Sequence, residues 1–482
     1  MVYGWIDNTE KLMAKAKTKI SYVCSDCGAD YTKWQGQCGE CKAWNTITEF
    51  REASSTTKSV NAAVNRNQAG GYAGVTTNGV KRISSVQVEH AQRVSTGLSE
   101  LDRVLGDGIT LGSVVLISGD PGSGKTTLLT KVASVMSQTM STLYVTAEES
   151  LSQWAKRGIE RLNLNFNEDN FLLSDTDSIE DIVDQCIENN VRFLIADSIQ
   201  AFESNSVDGS AGGVTQVKTC AKILNRLCKQ HGITLILVGQ VNKNSQMAGP
   251  QTLKHIIDTA IHIEVNDASV RILRADKNRF GDTEQVGIFQ MTEKGMRSVD
   301  NPSRLFLSGS EEHFEGSAIS VIKDGARNLL IEIQALATEV EGEKSIRNCI
   351  GVSYSRLSLI TAVLKKHGGI PTYYDINISL VGGLKMADSE TSTDMAVTAA
   401  LLSSINSKPL PTDAVFIGEL ALTGELRQIP QIVPRVREAL SHGKKQIFIP
   451  SVAYHASMQQ FVKADQKIIP LKNVRELIEA LQ

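Results

Sequence analysis

The sequence predicts an α/β protein, and three observations carry that reading. From Val94 onward, short apolar runs alternate with helical stretches, the pattern of parallel βαβ units. One of those runs, residues 114–117, leads straight into a glycine-rich phosphate loop that opens a helix. Ahead of this block, four cysteines stand as two C-x2-C pairs, a metal-site spacing in a chain whose eight cysteines are too few for a disulfide scaffold. The 482 residues give room for about three domains. A composition of 41% hydrophobic and 21% charged residues is that of a globular chain. The formal net charge of −3 excludes a protein that coats DNA by bulk charge, while leaving local basic loops open. No apolar run reaches the ~18 residues of a membrane helix. The polar, lysine-containing start has no apolar signal segment, so a cytoplasmic chain with no membrane partner is expected.

Composition divides the chain into an N-terminal extension (1–20), a cysteine module (21–50), a linker (51–92), a first α/β block (93–302) and a final mixed α and β block (303–482). Within the cysteine module, Cys24 and Cys27 are separated by ten residues from Cys38 and Cys41. Two such pairs on tight knuckles converge four thiolates on one tetrahedral Zn2+, as in a zinc ribbon or rubredoxin-like site. Gly28 and Gly39 fall where the knuckles turn. A closed shell of four thiolates makes the zinc structural, and so small a module draws its folding energy from the metal. Trp34 and Trp44 read as the core of this module first, and as a partner-contact surface second. Residues 53–79 are dominated by Ala, Ser, Thr, Asn, Gln and Gly with no acid, which reads as a flexible linker.

In the first α/β block, apolar runs at 114–117, 143–145, 193–196 and 235–238 are separated by helical stretches that include 125–137 and 213–229. Runs at 260–265 and 270–275, joined by a turn containing Asn266 and Asp267, and a further run at 285–291 read as antiparallel strands appended to a parallel sheet. Gly119-Asp120-Pro121-Gly122-Ser123-Gly124-Lys125-Thr126 is a complete G-x4-G-K-[ST] loop, with Thr127 following in the helix. Its backbone N–H groups and the helix N-terminus suit phosphate, Lys125 suits the β- and γ-phosphates of ATP, and the Thr126 hydroxyl suits Mg2+. The strand ending Asp197-Ser198 has the form of a Walker B segment, with Asp197 holding Mg2+ directly or through water. Glu148 and Glu149 follow the 142–146 strand at the ligand-binding edge of the sheet, where one of them could deprotonate the attacking water; capping of the next helix is the other reading. Gln240 ends its strand as a γ-phosphate sensor or as a solvent-facing amide.

Ser95-Thr-Gly-Leu-Ser-Glu-Leu-Asp102 leading into the phosphate loop resembles the RecA-like core of RecA, KaiC and RadA proteins. With the four-cysteine module ahead and Lys277-Asn-Arg-Phe-Gly281 behind, the chain is identified as a member of the bacterial RadA (Sms) family. Met13-Ala-Lys-Ala-Lys is similar to the usual start of that family, which makes residues 1–12 an atypical extension or a misassigned start site. The resemblance implies an ATP-dependent DNA motor acting on recombination intermediates, through branch migration and D-loop extension, as a homohexamer. It further implies single-stranded and branched DNA and a RecA-type recombinase as partners. Glu148 is similar in position to the catalytic glutamate of RecA, with Glu149 as the second candidate. Lys277 and Arg279 look like the cations that RecA-type rings direct at ATP in the next subunit. Segments 203–216 and 242–253, with Lys218, Lys222, Lys243 and Lys254 in or beside them, look like the DNA-binding loops of this fold. Only Phe202 is aromatic there, so sequence-blind phosphate contact is expected.

From about residue 310 the chain resembles the Lon protease fold, through Ile331-Glu-Ile-Gln-Ala-Leu336 and Gly418-Glu-Leu-Ala-Leu-Thr-Gly424. Laid on the Lon pattern, Ser392 falls near the serine, while Val433 stands in place of the lysine that would activate it. The block therefore reads as non-proteolytic, a scaffold for the ring and an additional DNA-binding face. The residues also bear on two functions of other classes. A KaiC-like signalling ATPase is opposed by the cysteine module, the 277–281 motif and the Lon-like tail. An ATP-dependent protease is opposed by Val433.

Overall fold

The computed structural model describes residues 20–24, 29–31, 33–40, 42–51, 92–240, 250–266, 269–309, 312, 314–340, 345–371, 373–384, 386 and 389–482. Residues 1–19 of the N-terminal extension, most of the linker, Cys27, Cys41, residues 241–249 around the second proposed DNA loop and Asp267 of the strand turn lie outside the described residues. Strands β1 (Ile20–Cys24), β2 (Asp30–Tyr31) and β3 (Ile47–Arg51) form a small antiparallel sheet in the order β2-β1-β3. Its described apolar core is Cys24, Cys38 and Ile47. Trp34 and Trp44 are 59% and 68% exposed, so they are not the core that the sequence suggested. A module of this size has no interior wide enough for an indole, and Trp34 instead donates its ring N–H to the Ile47 carbonyl at its rim, 3.0 Å away.

A short ladder of β4 (Arg93–Val94) and β5 (Ile109–Thr110) precedes the main sheet. That sheet contains β6 (Val114–Gly119), β7 (Thr142–Thr146), β8 (Phe171–Ser174), β9 (Phe193–Asp197), β10 (Thr234–Gln240), β11 (Thr259–Val265), β12 (Val270–Asn278), β13 (Val286–Thr292) and β14 (Gly295–Ser298). Their order is β14-β13-β12-β11-β6-β10-β9-β7-β8. Strands β6, β7 and β9 are buried at every position, as the continuous apolar runs require of strands covered on both faces. The sequence places 260–265 among the antiparallel additions, but β11 runs parallel to β6 on one side and antiparallel to β12 on the other, and the antiparallel pairings continue from β12 through β13 to β14. Its hairpin with β12 hid the parallel partner, which is distant in sequence. Strand β8 was not identified either; its four residues are all half-buried at the sheet margin, which weakens the apolar signal. The helix expected at 213–229 spans Val214–His231 and stops at Gly232, whose φ of 66° ends it.

The second large sheet comprises β15 (Ser317–Asp324), β16 (Arg327–Glu339), β17 (Arg347–Ile350), β18 (Tyr374–Leu380), β19 (Ala414–Phe416), β22 (Gln446–Pro450) and β23 (Lys467–Leu471), with β20 (Glu419–Leu420) and β21 (Leu426–Arg427) forming a separate hairpin. Its order is β17-β18-β16-β15-β19-β22-β23. The two sheets meet across one apolar cluster, in which Val270, Ile272, Val286 and Ile288 of the first pack with Phe306, Ile322, Leu329 and Ile331 of the second block. Ion pairs frame that contact. Arg274 holds Asp324 with two hydrogen bonds of 2.5 and 2.9 Å, and Arg327 reaches the buried Glu100 at 2.7 Å.

Candidate nucleotide site

In a parallel sheet every strand ends on the same edge, so loops distant in sequence converge there. The ends of β6, β7, β9 and β10 bring together Gly119, Glu148, Asp197 and Gln240. The phosphate loop turns at Gly124, which adopts φ 96°. A Cβ at that position would lie 2.7 Å from the Met291 methyl and 3.0 Å from the Met296 sulfur, so only glycine lets the loop rest on β13 and β14. Its backbone is also held from behind, where Arg271 Nε donates to the Ser123 carbonyl at 3.2 Å. The helix Lys125–Ser137 follows at once, with its N-terminus at the loop.

Lys125 lies inside the loop and donates through Nζ to the carbonyls of Gly119 and Asp120 at 2.8 and 2.9 Å. Burial lowers its pKa, against the opposing charges of Asp197, Glu148 and Asp120. Thr126 Oγ1 donates to Asp197 Oδ2 at 2.9 Å, which joins the two residues assigned to magnesium by sequence. The same carboxylate oxygen accepts a 2.7 Å hydrogen bond from the Tyr144 hydroxyl, a partner that the sequence reading missed. Burial raises the Asp197 pKa, while the Tyr144 and Thr126 hydrogen bonds act to lower it. Burial and the neighbouring Asp197 charge push the Tyr144 phenol well above its ordinary value, so it is a donor. The donor set of hydroxyl and carboxylate oxygens suits a hard cation such as Mg2+.

Glu148 and Glu149 part company. Glu148 Oε1 accepts from Gln240 Nε2 at 2.9 Å and from the fully buried Ser198 hydroxyl, which keeps it beside Lys125 and Asp197. Glu149 turns to Arg157, whose Nη1 lies 2.7 Å from Oε1. Neither acid caps the following helix. That role belongs to Ser150, which forms a reciprocal capping box with Gln153. Ser198 was quoted in the sequence only as the neighbour of Asp197; nothing in the pattern marked it as a partner of Glu148.

Lys277 and Arg279 are elsewhere in this chain. Lys277 Nζ donates to the carbonyls of Lys254 and Ile257 at 2.5 and 2.7 Å, and Arg279 pairs with Asp258 at 3.3 Å. Across the ladder, Asn278 is opposite Thr259, which sits beside Val115, whereas the phosphate loop departs from Gly119 beside Ile263. The motif thus occupies the edge of the sheet opposite to Lys125 of the same subunit. The first proposed DNA loop, ahead of the helix Val214–His231, is tied down by Gln216, which bonds the backbone of Ser204, Val207 and Gly209. Phe202 is fully buried beneath it and offers no stacking surface.

In the cysteine module, Cys24 and Cys38 are both fully buried at equivalent turns. Cys24 N donates to Ala29 O at 3.0 Å and Cys38 N to Ala43 O at 2.9 Å, the same five-residue span. Buried thiols at the first position of each C-x2-C pair fit a thiolate zinc site. In the last block, Ser392 is fully buried and donates to the Val321 carbonyl at 3.2 Å, while Arg435 Nη1 donates to Ser392 Oγ at 2.6 Å. Arg435 also pairs with Glu390. A guanidinium cannot take a proton, so Arg435 is no substitute for the activating lysine, and the Ser392 hydroxyl proton is held by the Val321 carbonyl.

Comparison with known proteins agrees with these parts. Family models match residues 22–49 as a rubredoxin metal binding domain, residues 81–246 as an AAA domain and residues 358–453 as the ChlI subunit of Mg-chelatase. The DNA repair protein RadA of Haemophilus influenzae is 44% identical over 440 residues, covering 91% of this chain and 93% of that protein. RadA of Escherichia coli is 42% identical over 446 residues, covering 91% and 94%. RadA of Pseudomonas aeruginosa is 40% identical over 468 residues, covering 97% and 99%.

Proposed function

The chain belongs to the RadA family, and from that premise we propose that it is a DNA-dependent ATPase that drives branch migration and D-loop extension on recombination intermediates during DNA repair. The observation that carries the reading is the convergence of Lys125, Thr126, Asp197, Glu148 and Gln240 on one sheet edge. Such an edge holds a nucleoside triphosphate with its terminal phosphate toward Glu148. Lys125 and the loop amides bind the phosphates, and Thr126 with Asp197 hold Mg2+, which supplies charge neutralisation on the β- and γ-phosphates. Glu148, steadied by Ser198 and Gln240, takes the proton of the attacking water. Gln240 reports the state of the γ-phosphate to the segment that follows it.

Lys277 and Arg279 complete the site of the neighbouring subunit in a homohexamer, a role supported by their position on the edge opposite to their own phosphate loop. The loops at 203–216 and 242–253 face single-stranded and branched DNA, and a RecA-type recombinase supplies the joint. The domains divide at 20, 50, 92 and 302, with the zinc module binding Zn2+ through Cys24, Cys27, Cys38 and Cys41. The Lon-like block scaffolds the ring. No helix of the described residues is long and apolar enough to cross a membrane, and the motor acts in the cytoplasm, where its DNA lies. The test is ATP hydrolysis by the full chain with and without single-stranded DNA, with Lys125→Ala as reference, beside extension of a preformed D-loop. Hydrolysis indifferent to DNA, with no movement of the joint, would refute the motor.

A further inference from the structure

We propose that Tyr144 is a positioning residue for the metal–nucleotide complex: its buried hydroxyl fixes the Asp197 carboxylate in the orientation that Mg2+ requires. The inference rests on the reading that Asp197 and Thr126 hold the metal.

Strand β7 is covered on both faces, and Tyr144 at its centre is fully buried. Its ring packs on Trp154 with centroids 4.9 Å apart, and Trp154 in turn contacts Phe166 and Phe171 at 5.5 and 5.4 Å. A ring held in such a block has no second rotamer within reach. The phenol oxygen is therefore a fixed point, 2.7 Å from Asp197 Oδ2. The carboxylate itself is on a side chain whose terminal torsion is broad and roughly two-fold, so without a partner it samples many orientations.

Two donors meet Oδ2, Tyr144 and Thr126. They are not equivalent. The Thr126 hydroxyl would ligate the metal through an oxygen lone pair while its O–H still donates to the acid, so its position is tied to the metal's arrival and departure. Tyr144 lies behind the acid on a neighbouring strand and makes this contact from the protein interior, so it is the donor that persists through nucleotide exchange. A phenylalanine at this position would fill the same aromatic space, which makes the hydroxyl, and not the packing, the feature that needs explanation.

The experiment compares the affinity of the full chain for a fluorescent ADP analogue in Mg2+ and in EDTA. Wild type binds more tightly with Mg2+, and Asp197→Asn loses that gain. Tyr144→Phe should keep its EDTA affinity while the gain from Mg2+ falls about tenfold, the size expected when a hydrogen bond to a charged group is removed. Thermal unfolding checks the fold of each variant. Tyr144→Met, which also removes the hydroxyl but fills the niche with a flexible side chain, must give the same loss. If Asp197→Asn loses the gain and both Tyr144 variants retain it, the inference is overturned. If Asp197→Asn itself retains the gain, the assignment of Asp197 to the metal fails, and the inference falls with it.

Discussion

Replacing Glu148 by glutamine separates the two acids at the end of β7. The substitution keeps the volume of the side chain, and an amide oxygen still accepts from Ser198 and from Gln240 as the carboxylate oxygen does. What it loses is the negative charge and the ability to take a proton. Nucleotide binding should persist, therefore, while kcat for ATP hydrolysis falls by about 10²–10⁴, the range of a positioned general base. Glu149→Gln removes only the charge facing Arg157, from a carboxylate that is 36% exposed. A pair of that kind contributes about 0.2–1 kcal/mol, so the second variant should stay within about fivefold of wild type. Phosphate release at saturating ATP gives kcat, and binding of a fluorescent ATP analogue shows that the site is loaded. A Glu148→Gln protein hydrolysing within about fivefold of wild type, or a Glu149→Gln protein falling a hundredfold, would refute the assignment.

Mixing Lys125→Ala with Lys277→Ala, each inactive alone, should restore hydrolysis in co-assembled rings, because some interfaces pair an intact Lys125 with an intact Lys277. Silence despite demonstrated co-assembly would show that the 277–281 motif acts within its own subunit or on DNA. Chelation of zinc, or Cys24→Ala with Cys38→Ala, should unfold the 21–50 module and leave DNA-free ATPase activity largely intact; elemental analysis of purified wild type must find zinc. Arg327→Met should lower stability by about 2–3 kcal/mol in urea unfolding, below the ~3–5 kcal/mol of a fully unpaired buried charge, since Glu100 is only 4% exposed and keeps the more distant Arg103 at 3.5 Å.

The nucleotide edge was legible because its chemistry is written in contiguous residues: a loop of fixed spacing, and acids that end apolar runs. The topology that assembles them was legible to the extent that buried parallel strands read as unbroken apolar segments. β11 was misread because its partner β6 lies more than a hundred residues away, and only its hairpin with β12 is local. Ser198, Tyr144 and Arg435 escaped for a related reason. Each matters through hydrogen bonds to residues remote in sequence, and an isolated hydroxyl or guanidinium leaves no periodic trace. The tryptophans of the zinc module show the opposite error, in which a residue type that usually marks a core was placed where no core was large enough to hold it.

Strand β12 has one face in each apolar cluster: Leu273 and Ala275 pack beneath the phosphate-loop helix, and Val270 and Ile272 pack with the last block. A fragment ending near residue 302 would consequently carry a sticky, water-exposed flank and a Glu100 stripped of Arg327, and its weak solubility would say little about the intact protein. The same wall makes melting of one half costly to the other, so the two blocks should denature in a single sigmoidal transition. Truncation, the usual way of assigning tasks to parts of a chain, is for this protein better replaced by point changes that leave the wall standing.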